Sequence, residues 1–76
     1  MPHIDAKYFP RNLSEEEKRA VAEDLAAVLK HHFGSSNDAL YVALHEIPPE
    51  RWKDEVYDPF IKPHLATLAK KPGYSY

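Results

Sequence analysis

Polar and apolar residues alternate from His3 to Phe9, with Ile4, Ala6 and Tyr8 on one side and His3, Asp5 and Lys7 on the other. That period of two predicts a half-buried strand over residues 3–9. Pro10 and the Arg11-Asn12 pair end it. Ser14 then precedes Glu17 by three positions, the spacing of a capping box in which each side chain satisfies a free amide at a helix start. Val21, Leu25, Val28, Leu29 and His32 recur at helical spacing and predict an amphipathic helix over about residues 14–33. Glu15 to Glu17 fit its solvated start. Lys30, His31 and His32 fall in its last turn, where positive charge suits the helix dipole, and Gly34 is placed to cap the end.

Beyond the polar break at residues 35–38, the run ALYVALHE predicts a second strand over residues 39–46. It is apolar on both sides as far as Leu44, the pattern of a strand covered on both faces. Pro48-Pro49 forces a turn just before Trp52. The remainder reads as helical but carries Pro59 and Pro63, each suited to the first turn of a new helix. A short turn near 50–58 and a second helix near 61–71 are expected, stopped by Pro72-Gly73. Strand, long helix, strand makes a βαβ unit with a right-handed crossover and parallel strands. The fold class is thus α/β in a single domain over residues 1–76. Two strands leave two open edges, and one helix covers one face. The simplest closed solution is a homodimer with a four-stranded sheet and the helices on its outer face.

Composition agrees with association. A chain of 76 residues buries only about 60% of its unfolded surface, so its core is marginal. No cysteine is present to supply a disulfide or a thiolate metal site. The formal charge of -2 offers no basic face for nucleic acid. No apolar stretch has the length of a membrane span, and no basic segment followed by an apolar run opens the chain. We expect a cytoplasmic protein that binds neither nucleic acid nor membrane. The five histidines include no pair at the spacing that chelates from one helix face, and the adjacent His31 and His32 project about 100° apart. No metal site is expected.

The residue that stands out chemically is Pro2. It is acceptable simply as the first residue of a strand. Removal of Met1 would, however, turn its nitrogen into a secondary amine of fixed direction. Burial among apolar groups, and a nearby cation such as Arg11, would both lower that amine's pKa. A base with its pKa near the working pH can move a proton between an enol oxygen and the carbon beside a carbonyl. Unless Met1 is removed, the nitrogen is an amide and carries no such base.

With the βαβ frame in place, the chain resembles the 4-oxalocrotonate tautomerase family, through PHIDAKYFPR at the start, LSEEEK leading the helix, ALYVALHEI, the PPERW turn and the terminal KKPGY. The length and the last two features resemble its longer, dimeric bacterial branch with an added C-terminal helix. The resemblance implies cofactor-independent keto–enol tautomerisation with Pro2 as general base, Phe9 in an apolar pocket and Trp52 as an aromatic wall. It also implies a site close to the subunit interface, to which a partner adds residues near Tyr74. Two positions depart from the pattern. Where the family's hexameric enzymes carry carboxylate-binding arginines, this chain has Tyr41 in the second strand and Asn12 in the first loop, with Arg11 one residue earlier. A monoacidic or aromatic enol or 2-oxo acid therefore fits better than a diacid, with Arg11 and Tyr41 anchoring or polarising it. The alternatives are a hydratase or dehalogenase using the same proline as general acid, and a non-catalytic module that binds a small ligand or another protein.

Overall fold

The computed structural model describes all residues, Met1 to Tyr76. They pack as two compact units, Met1–Glu46 and Ile47–Tyr76.

The first unit is the βαβ element. Strand β1 (His3–Tyr8) lies parallel to β2 (Tyr41–Glu46), joined through helix α1 (Glu15–Phe33) and a short 3-10 turn at Asn37–Ala39. Register runs from His3 opposite Tyr41 to Tyr8 opposite Glu46, so Ile4, Ala6 and Tyr8 share a face with Val42 and Leu44. Both ends of α1 form as their local chemistry demands. Ser14 Oγ accepts from the Glu17 amide at 3.1 Å, and Glu17 Oε1 accepts from the Ser14 amide at 3.1 Å. At the other end Gly34 adopts φ 67°, a left-handed conformation that costs glycine little, and donates its amide to Lys30.

The buried stripe of α1 is rotated from the one the spacing suggests. Lys18, Ala22, Leu25, Ala26 and Leu29 are half-buried, whereas Val21 and Val28 lie exposed along one flank. The helix packs against β2, and Ala22 and Ala26 of its four alanines lie on the half-buried side. No residue of this unit is fully buried: Val42, Ala43 and Leu44 of β2 are only half-covered.

The second unit departs from the expected short turn near 50–58 and helix near 61–71. Helix α2 (Pro49–Trp52) continues directly into a wide-turn π-helical run, Lys53–Ile61, followed by a 3-10 turn at Lys62–His64. Beyond His64 the chain forms turns, not a regular helix. Pro63 opens a helical turn, as expected, whereas Pro59, expected to do the same, sits inside the π run; Pro49 opens α2. Its ring would clash with the carbonyl four residues back in a regular helix. In the wider winding the amide of Lys62 reaches the carbonyl of Tyr57, five residues back. The winding also buries Val56 and Tyr57, adjacent in the chain and the only buried residues of the protein. No helix is long and apolar enough to cross a membrane.

Candidate active site

Pro2 is half-buried immediately before β1, behind a Met1 that is 89% exposed. Beside it the first register pair brings together the rings of His3 and Tyr41, with centroids 4.8 Å apart and planes tilted by 47°. Tyr41 is half-exposed. Parallel pairing therefore places two of the residues singled out from the sequence, Pro2 and Tyr41, at the same end of the sheet.

Arg11 lies at the other end. The six-residue strand between them spans about 17 Å at the rise of an extended chain. Charges in water are largely screened beyond about 8 Å at physiological ionic strength. The expectation that Arg11 depresses the pKa of Pro2 within one chain is thus not met. Phe9, exposed at the strand's exit, is on the Arg11 side as well.

The loop that carries Arg11 is held in two ways that its sequence does not announce. The Arg11 amide donates to Glu46 Oε2 at 3.2 Å, across a separation of 35 residues. Asn12 adopts φ 56°, the left-handed region that asparagine tolerates better than most side chains. The loop borders an open apolar pocket of about 290 Å³ lined by Ala6, Tyr8, Arg11, Leu13, Val21 and Leu44. α1 packs over β2, and the half-buried Ala6 of β1 lines the pocket beside it. The Arg11 guanidinium, without an ion-pair partner, is the only cation on its rim.

On the opposite face of the sheet, Asp5 bridges the strands. Lys7 Nζ donates to Asp5 Oδ2 at 2.9 Å, and His45 Nε2 lies 3.2 Å from Oδ1. The Lys7 hydrogen bond is the main reason the Asp5 carboxyl is held below its ordinary value.

Trp52 belongs to the second unit and closes α2, half-buried. Its indole Nε1 donates to the hydroxyl of Tyr74 at 2.9 Å. Within the single chain Tyr74 thus engages Trp52 of its own second unit. The Trp52–Tyr74 pairing joins residues 22 positions apart and has no local signal in the sequence.

The chain was compared with known proteins. A family model described as "Tautomerase enzyme" matches residues 2–55, beginning on Pro2. "Tautomerase PptA" of Pectobacterium atrosepticum is 84% identical over 76 residues, covering 100% of both chains. The proteins of the same name from Cronobacter sakazakii and Escherichia coli (strain SMS-3-5 / SECEC) are 51% and 47% identical, over 97% and 99% of each chain. On this likeness, end to end and in its fold, the chain belongs to the tautomerase family of isomerase-type enzymes.

Proposed function

We propose that the protein is a cofactor-independent keto–enol tautomerase of small 2-oxo or enol acids, monoacidic or aromatic, in which Pro2 acts as general base after Met1 is removed. The observation that carries this reading is the position of Pro2: half-buried at the head of β1, next to the His3–Tyr41 ring pair, with a fully accessible methionine in front of it. Loss of Met1 converts an amide nitrogen into a secondary amine. That amine takes the enol O–H proton, the oxygen's electron pair re-forms the carbonyl, and the double-bond pair takes the proton back from the prolinium at the adjacent carbon. The Tyr41 hydroxyl is suited to donate to the oxygen while it bears charge.

We further propose that the working unit is a homodimer built through β1. A two-fold axis pairs edge strands antiparallel, so joining two β1 edges brings Arg11 of the partner subunit to the Pro2 end of the first. The same pairing explains the exposed flank of α1. Val21 overlooks Ala6 and Tyr8 of β1, so two β1 strands in contact would bring the Val21 and Val28 flanks of two helices together. Arg11 then supplies both the carboxylate anchor and the cation that lowers the pKa of Pro2. One cation per site suits a monoacid. Trp52 and Phe9 are assigned to the apolar wall on the family resemblance.

The test is turnover of an aromatic enol acid by protein shown by mass to begin at Pro2. Pro2→Ala is expected to reduce kcat/KM by about 100-fold or more, the usual loss with a general base. Equal activity in the two would contradict the assignment.

A further inference from the structure

We propose that His3 is a positioning residue, whose ring holds the Tyr41 phenol in the one orientation at the Pro2 end of the sheet from which its hydroxyl meets the substrate oxygen. The proposal rests on the reading of Pro2 as the base and of Tyr41 as the donor.

Every group it uses belongs to the strand pair of the first unit or to the residue that opens it. His3 follows Pro2 directly, and the trans peptide between them keeps their Cα atoms about 3.8 Å apart. In the parallel register His3 stands opposite Tyr41, so both side chains leave the sheet on the same face. There the two rings meet, with centroids 4.8 Å apart, the separation of an aromatic pair. Neither group is committed to another polar partner. The His3 imidazole takes part in no hydrogen bond or ion pair, and the Tyr41 hydroxyl donates to no group of the chain. The next residue of β1 on this face, Asp5, is held chiefly by Lys7, and His3 acts on that carboxyl through its charge alone. His3, Asp5 and His45 share the face, yet no three such side chains come close enough together to hold a metal ion. What remains for the His3 ring is its contact with Tyr41. A tyrosine that is 50% exposed at the start of a strand has more than one rotamer open to it. Contact with a neighbouring ring favours one of them. A hydroxyl ordered in advance stabilises the charged oxygen without reorganising as the charge develops.

Steady-state kinetics on an aromatic enol acid test the assignment. His3 is exposed, so its replacement disturbs the fold little. His3→Ala is expected to lower kcat about threefold to tenfold, the weight of one aromatic pair. Its KM should stay within about twofold of the parent, because the interaction is made only as the oxygen takes charge. His3→Phe keeps a ring without a titratable nitrogen. It should return kcat to within about twofold of the parent and leave the Pro2 limb of the pH profile in place. In Tyr41→Phe, which has no hydroxyl to position, adding His3→Ala should cost nothing further. A full second loss in that background would show that His3 acts otherwise than through Tyr41 and would overturn the proposal. So would His3→Phe failing to restore kcat, or displacing the pH limb, since the imidazole charge and not its ring would then be the effective part. If Tyr41→Phe keeps full kcat while Pro2→Ala abolishes turnover, Tyr41 is no donor and the proposal falls with the base intact. A parent without turnover would overturn the tautomerase reading and the proposal together.

Discussion

At the scale of residues, short-range chemistry accounts for much of the structure. Ser14 and Glu17 satisfy each other's amides at the start of α1. The Ser14 backbone and side-chain contacts, in that order, hold the Glu17 carboxyl below its ordinary value of 4.5. Ser14→Ala is expected to cost about 1 kcal/mol in urea unfolding, the usual value of a serine cap; a change near zero would show that the cap is dispensable. Asp5, whose carboxyl is held down chiefly by Lys7, gives a pH-dependent effect. A carboxyl with a depressed folded pKa contributes stability that is complete above its unfolded value of 3.8 and is lost as pH falls through the lower folded value. The group is at the surface, so the effect is small and screened by salt. Asp5→Asn is expected to flatten the acid side of the stability curve below about pH 4 at low ionic strength. An identical curve would remove Asp5 from the account of acid sensitivity.

At the scale of elements, features that close within a few residues were legible in the sequence, and features that close over distance were not. Both ends of α1 fall where Ser14 and Gly34 put them, because capping involves neighbours in the chain. The parallel pairing of β1 and β2 follows from a crossover long enough to permit it. The rotated stripe of α1 was not legible, since Val21 and Val28 are as apolar as the residues that pack. Nor was the path after Trp52: prolines mark where a regular helix fails, not what replaces it. The Arg11–Glu46 and Trp52–Tyr74 contacts join residues 35 and 22 positions apart, which no local pattern encodes. The π run yields a prediction of its own. Pro59→Ala restores a donor and removes the clash with the preceding turn, so regular winding becomes accessible. Circular dichroism at the helical minimum is expected to deepen and thermal stability to rise; a fall in both would mean that the wide winding is set by the burial of Val56 and Tyr57 instead.

At the scale of the whole molecule, the first unit lacks a single fully buried residue, and its helix keeps an apolar flank exposed. The proposed homodimer through β1 would cover both, and on that proposal sedimentation should give twice the chain mass of 8.8 kDa. Val28 is 52% exposed in the single chain, where substitution costs about 0.5 kcal/mol or less. Val28→Glu should nevertheless shift the protein toward monomer and reduce activity, because in the proposed dimer Arg11 of the partner subunit completes the site. Unaltered sedimentation would move the interface elsewhere. The chemistry itself is tested most directly by the pH dependence of kcat/KM for ketonisation of an aromatic enol acid, with protein confirmed by mass to begin at Pro2. We expect a rate that rises with a single apparent pKa well below that of a free secondary amine, and a limb that disappears in Pro2→Ala. A limb that survives in Pro2→Ala, or a rate no better than buffer with Pro2 free, would contradict the assignment of Pro2 as the base.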